Sequence, residues 1–295
     1  MKENITMFKY TQMVIFFALS TAFYAVILWI FAVMPLWIVP GVTALRPGNA
    51  IPPVTSLLWG PAATWGTALG NLIGFDVLGG ALGWGSVGGF IGNWVYGLLP
   101  YYTWNKVFTE EPDCKTTSSL IKFELTTFLA SSACAMVIST WVEAFNLFPF
   151  SILSLIITFN NFIAGAILGP ILMVIFYDRV KRLGWLWTDV MQEYSMTARV
   201  KSKKAFTGYI LVWIGFVVGN FVTILLGFGL TGAFWSPVEG IIGVDWSQFG
   251  KAFGGLPVVA TALVFIAIGV VGLAMMEFAA QWEVPPEAKE EEEEE

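Results

Sequence analysis

Residues 40 to 102 read PGVTALRPGNAIPPVTSLLWGPAATWGTALGNLIGFDVLGGALGWGSVGGFIGNWVYGLLPYY, and the fold turns on which solvent this stretch is built for. It is too apolar and too rich in glycine for a soluble loop, yet it carries Arg46, Asn49, Asn71, Asp76 and Asn93. In hydrocarbon every backbone N–H and C=O must be paired inside the protein, so such a run folds as helices or as broken helices shielded by others. Prolines at 47, 52, 53, 61 and 100 mark its boundaries and kinks, since proline removes a donor and clashes with the preceding turn.

Gly66, Gly70 and Gly74 recur every fourth residue in GTALGNLIG, and Gly88 and Gly92 repeat the spacing in GGFIGNW. Side chains four apart share a helical face, and a glycine face lets two backbones approach where lipid offers no hydrophobic drive. These are packing seams. Asn71 and Asn93 follow them directly, about 100° further round the helix. There an amide either bonds a neighbouring helix or offers donors and an acceptor to a cavity. Asp76 is an ionisable group near membrane depth, where charge is costly and usually paired or functional. Its neighbours Gly79 and Gly80 equally suit a water boundary.

Working outward, the composition agrees with a membrane solvent: 57% hydrophobic, 12% charged, mean hydropathy +0.73, with 14 Trp and 25 Phe among 295 residues. A soluble domain carries about 25% charged residues. The net charge of -6 belongs to the tail, because eight of the 21 acids lie beyond Gln281, where Lys289 is the one base. The remaining body, with 13 acids and 14 bases, is near neutral. Residues 281–295 therefore read as an acidic, disordered tail.

The hydropathy pattern predicts an all-α, polytopic transmembrane bundle. Helix 1 covers residues 10–34, and an irregular segment leads into a short helix 2 near 50–58. Helix 3 covers 61–78 and helix 4 86–102, then 118–142, 151–177, 205–229 and 256–278 follow. Asn160 and Asn161 fall near the middle of the sixth, and GFVVGNF in the seventh repeats the Gly-Asn pairing at Gly219 and Asn220. Residues 178–204 hold seven bases, which the positive-inside rule places in the cytoplasm. Eight crossings then put both termini there, in a cell membrane. The basic stretch 184–204 reads as a linker or an interfacial helix. Membrane orientation accounts for its charge, so nucleic acid is not an expected partner.

Enzyme chemistry is not expected. There is no His, Cys114 and Cys134 are the only cysteines, and no nucleophile, base and orienting group can be assembled from spacing. The usual zinc and haem ligand sets are missing, no metal site is expected and no cofactor is indicated. No GxxxxGK[ST] loop supports ATP hydrolysis within the chain.

Several of these features stand in a familiar order. A long first helix carries the small pair Ala18 and Ala22, a Pro-rich connector ends in IPPVTSLLWGP, GTALGNLIGFD leads to GSVGGFIGNWVYGLLPYY, and LGPILMVIFYDRVKR follows later. Over about residues 8–183 this resembles the substrate-binding S component of energy-coupling-factor transporters. The resemblance implies a six-helix core, residues 1–183, that binds a vitamin or nucleobase-like nutrient near the extracellular side. It also implies docking through Ala18 and Ala22 onto a transmembrane coupling protein driven by two ATPases. The chain departs from the family in adding two further helices, residues 205–280, with an extracellular connector, and the acidic tail. Those additions leave open a structural or scaffolding membrane subunit that transports nothing and joins other integral membrane subunits or copies of itself, and beyond it a channel or independent carrier. The 14 Trp fit interfacial anchors, a planar ligand or a bound lipid.

The expected ligand cavity lies where the opening stretch closes on itself. Arg46 would meet an acidic or carbonyl-bearing ligand, Asn71 and Asn93 would orient it, Asn49 and Asp76 would complete the polar rim and Trp84 would stack on a planar part. A salt bridge between Arg46 and Asp76 is the competing expectation.

Overall fold

The computed structural model describes residues 1–33, 36–39, 43–195, 202–231 and 254–282. The acidic tail, the connector with Lys251, and Arg199 and Lys201 of the basic stretch lie outside the described residues.

The chain is a bundle of helices with one short hairpin. The short α1, Glu3–Thr6, leads into α2, Thr11–Val33. Strands β1, Leu36–Val39, and β2, Thr43–Leu45, pair antiparallel, and a single 3₁₀ turn over Pro47–Ala50 opens α3, Ile51–Trp59. Then come α4, Pro61–Asn71, α5, Trp84–Val107, α6, Thr117–Ala144, and α7, Phe150–Arg182. Two four-residue helices, α8 (Trp187–Val190) and α9 (Gln192–Ser195), lead to α10, Lys203–Trp213, α11, Gly219–Thr231, and α12, Gly255–Trp282.

Among the described residues, five long helical segments are apolar enough to cross a membrane, formed by α2, α6, α7, α10 with α11, and α12. Many of their outward side chains are large and apolar, among them Phe23 and Trp29 on α2, Ile171 and Ile175 on α7 and Leu263 and Val264 on α12. This is the surface of a multi-pass membrane protein. Between such helices α3 and α4 are buried along most of their length.

The glycine seams do the work expected of them. A Cβ on Gly66 would strike Ser20 and the backbone of Phe17, one on Gly70 would meet Tyr24 and one on Gly74 would meet the backbone of Ala25, so α4 lies directly on α2. Gly88 and Gly92 seat α5 against Trp141, Ile138 and the Cys134 carbonyl of α6. The turn from α3 to α4 passes through Gly60 at φ +48°, and a Cβ there would come within 2.7 Å of the Trp187 ring. Only glycine fits both the conformation and the space.

Two stretches widen into π-helix, Leu72–Val77 after α4 and Ile214–Val218 between α10 and α11. In the first, the Leu78 N–H donates to the Ile73 carbonyl at 2.9 Å, five residues back. This re-aims the last turn, where Asp76 sits.

The described lysines and arginines other than Arg46 gather at one end of the bundle, here called the basic end. Lys115 pairs with Asp178, Lys181 with Glu111 and Lys122 with Glu110. The last turn of α12 is there too, with Glu277 accepting from the N-terminal amine and from the Tyr102 hydroxyl at 2.9 Å. The hairpin, Gly80 and the α6–α7 turn lie at the far end. α12 and the α10–α11 segment thus run antiparallel to each other beside α5, α6 and α7.

Candidate functional site

A polar column runs through the apolar bundle, built from α2, the 3₁₀ turn, α4, α5 and α7. At mid-depth the Asn49 Nδ2 donates to Asn161 Oδ1 at 2.7 Å, joining the turn before α3 to α7. The Tyr24 hydroxyl of α2 lies 3.1 Å from Asn93 Oδ1 and 3.3 Å from Asn49 Oδ1. From α5 the Tyr96 hydroxyl donates to the Asn49 carbonyl at 2.8 Å and lies 3.4 Å from that of Asn161. All of Tyr24, Asn49, Asn93, Tyr96 and Asn161 are buried. Leaving such groups unpaired in this environment would cost about 1–3 kcal/mol each. Their mutual bonds account for a shared position drawn from segments up to 112 residues apart.

The column continues toward the far end. Asn93 Nδ2 donates to the Gly89 carbonyl at 2.9 Å. Gly89 faces the next pair, since a Cβ there would lie 3.3 Å from Asn71 Nδ2 and 3.8 Å from Asp76 Oδ2. Asn71 Nδ2 in turn donates to Asp76 Oδ2 at 3.3 Å, and both residues are buried. An aspartate, four asparagine amides and two phenols thus follow one line from the last turn of α4 to the middle of the bundle.

Four of the six residues expected to form the cavity, Asn49, Asn71, Asp76 and Asn93, lie along this column. Arg46 stands just before the 3₁₀ turn, half-buried, with its guanidinium 4.4 Å from the centre of the Phe75 ring. The competing salt bridge is not formed: among the described residues no ion pair joins Arg46 to Asp76, whose carboxylate accepts from Asn71 instead. Trp84 is apart from the column. It is 71% exposed at the start of α5, stacked on Phe145 at 6.0 Å, and its carbonyl accepts from Trp141 Nε1 at 2.8 Å. It belongs to the rim of the far end.

Three members of the column were not singled out from the sequence: Tyr24, Tyr96 and Asn161. Tyr24 follows Ser20 by four residues and so shares the face that receives the α4 glycines, a face that the packing and not the sequence identifies. Asn161 was visible as a mid-helix amide without a partner assigned to it.

On α2 the opposite face carries Ala18 and Ala22, both exposed, in a stripe with Ile15 and Val26. The small pair leaves a shallow place in an otherwise bulky apolar surface.

By its family, this helical membrane bundle is a substrate-binding S component of an energy-coupling-factor transporter, a class whose members work with a module of a coupling protein and ATPases. A model of the QueT transporter family matches residues 14–178, more than half of the chain, and the chain belongs to that family. No curated protein and no solved structure gives a significant match.

Proposed function

We propose that the chain captures a flat, amide-bearing nutrient of the nucleobase type, the chemistry of a queuosine precursor, and delivers it to an energy-coupling module. The observation that carries this reading is the set of buried amides of Asn49, Asn93 and Asn161, presented at one level with the Tyr24 and Tyr96 hydroxyls. Each amide offers paired donors and an acceptor, which is what the edge of a purine-like ring requires. A pocket with few, well-placed polar groups in apolar walls is the common form of a selective small-molecule site. Asn71 and Asp76 would line the path from the far end, Arg46 would meet a carbonyl on its way in, and Trp84 with Phe145 would cover the rim.

The family-like unit is taken as residues 1–183, followed by the 184–204 linker and the added helices of 205–280. The basic end faces the cytoplasm, following the positive-inside rule. Cysteines introduced at Lys9 and Leu82, which lie at opposite ends and are exposed, test this in intact cells with a membrane-impermeant thiol reagent. Leu82→Cys should be labelled and Lys9→Cys should not. The exposed Ala18 and Ala22 are the seat of the coupling protein. Replacing both with Leu should abolish its co-purification and leave nutrient retention by the isolated chain unchanged.

Native mass spectrometry of protein purified from its own membranes tests the central claim. A bound heterocycle should be recovered, and Asn161→Leu should lose it. If no small molecule is ever recovered, the mutual bonding of the amides stands as structural glue and the protein is a membrane subunit that carries nothing.

A further inference from the structure

At the basic end α5, α6 and α10 do not close on one another. Lys106 and Phe108 from the end of α5, Lys122 from the second turn of α6, and Lys203, Phe206 and Thr207 from the start of α10 line an open cavity of about 520 Å³. No acidic residue is among those that line it. Two of its three lysines are answered from behind, Lys106 by Glu277 at 3.5 Å and Lys122 by Glu110. Lys203 is exposed and takes part in no ion pair among the described residues. Among the described residues, the cavity therefore holds more positive charge than its acidic neighbours Glu277 and Glu110 answer.

Its walls are apolar in one direction only. The Phe108 ring meets Tyr209 at 5.8 Å, Tyr209 meets Trp213 at 6.3 Å, and Trp213 meets Phe128 at 6.3 Å. Trp213 lies ten residues beyond Lys203, so this aromatic row runs about 15 Å from the lysines toward mid-membrane. Phe206 and Ile210 stand exposed along α10 beside it, at 54% and 44%. A soluble anion would need the lysines alone. A cationic pocket where three membrane-spanning segments begin or end, continued by an exposed apolar wall, has the polarity of a whole phospholipid.

We propose that this cavity binds an anionic phospholipid, its phosphate held by Lys106, Lys122 and Lys203 and its acyl chains laid along the exposed Phe206 and Ile210, with the Tyr209 and Trp213 rings packed behind them. Basic pockets between helix ends are where such headgroups are recognised. The site joins α5 and α6, within the family-matched part, to α10, which lies beyond it. The lipid would then act as a stitch between the core and the added helices.

The test uses the full-length protein, delipidated in a neutral detergent and titrated with phosphatidylglycerol, phosphatidylcholine or inorganic phosphate. Bound lipid is read by native mass spectrometry and stability by thermal melting. Phosphatidylglycerol should remain bound and raise the melting temperature, while the other two should do neither. Lys203→Gln should weaken retention about fivefold, and the Lys106→Gln, Lys203→Gln pair more, at about 1 kcal/mol per lysine. Lys9→Gln, an exposed base at the same end but outside the cavity, should change nothing. Equal retention of phosphatidylglycerol by the double variant and the parent protein would overturn the proposal. So would equal binding of phosphatidylcholine, and stabilisation by inorganic phosphate alone would reassign the cavity to a soluble anion.

Discussion

Asn93 of α5 and Asn220 of α11 stand in the same local setting, each directly after a glycine in an apolar helix, and both are buried. Their surroundings differ. Asn93 meets a phenol from α2 and, through it, the amide of Asn49, in a column fed by five elements. Asn220 is spent on one neighbour: its Oδ1 accepts from Ser154 at 2.6 Å and its Nδ2 donates to Thr158 at 3.1 Å, both on α7. One amide sits where several helices converge, and the other clamps two helices together. The added helices are fixed to the core at the far end as well, where the buried Glu143 accepts from the N–H groups of Phe150 and Gly255, each at 2.7 Å. Convergence makes a candidate site, and pairwise closure makes a joint.

For the glycines the contrast is between positions and not regions, because the added helices have tight seams of their own, where a Cβ on Gly215 would strike Gly269 and one on Gly219 would strike Phe265. Gly92→Leu would drive a side chain into Ile138 and the Cys134 carbonyl, whereas Gly229 on α11 has nothing within 4 Å of a built Cβ. Gly92→Leu should cost about 3 kcal/mol or more in detergent unfolding, while Gly229→Leu should be neutral within about 0.5 kcal/mol. Equal costs would mean that the space around each glycine does not decide the outcome.

Next are the two asparagine positions. Asn161→Leu should reduce retention of the native ligand about tenfold to a hundredfold, because it leaves the Asn49 amide unpaired and empties one wall of the column. Asn220→Leu should leave ligand retention as it was and instead cost about 1–3 kcal/mol of stability. A loss of ligand with Asn220→Leu would join the two regions into one functional unit.

Glu143→Gln keeps the shape but removes the charge that holds two backbone N–H groups, and should cost about 1.5–3 kcal/mol. Both cysteines of the chain are buried, so at a fixed neutral pH a change in thiol labelling reports a change in local opening. Labelling should stay unchanged in Glu143→Gln if only the attachment of α12 loosens.

The smallest effect concerns Cys114, in the loop between α5 and α6. Burial, first, and the nearby Glu124 and Asp113 carboxylates push its thiol from about 9 up to about 12. The protonated form is favoured by folding, so this contribution is complete below pH 9 and is lost as the pH rises toward 12. At pH 8 the thiol is almost wholly protonated. Alkylation of the folded protein should therefore be slow at pH 8 and should quicken steeply above pH 9.

The helices were legible because their signals are local. Apolar length gave α2 and α7 within a few residues, except that α7 runs on through its basic last turn to Arg182. Glycine spacing gave the seams of α4 and α5. The hairpin of Leu36–Val39 and Thr43–Leu45 was not read, although the intervening sequence contains Pro-Gly, a dipeptide that signals turns. The column was legible only in part, since an Asn beside a glycine seam announces itself and a Tyr in an apolar run does not. Tyr24 and Tyr96 have the same local signature as interfacial anchors. Only the approach of α2, α5 and α7 gives their hydroxyls partners, and no sequence spacing records that approach. The π-turn that aims Asp76 at Asn71 is likewise set by packing.

The nine residues of α3 have a consequence for how the chain is made. At 1.5 Å per residue α3 is about 13 Å long, less than half of a bilayer's hydrocarbon core of about 30 Å. An insertion machine that admits segments by length and hydrophobicity would not commit it on its own. Its unpaired polar start must wait in the membrane for α7, whose Asn161 is made 112 residues after Asn49. At about 5–20 residues per second, synthesis leaves that gap open for roughly 6–20 s. The centre of the column is thus among the last parts of the core to close, and a ribosome that stalls before α7 would leave in the membrane a nascent chain for quality control to find.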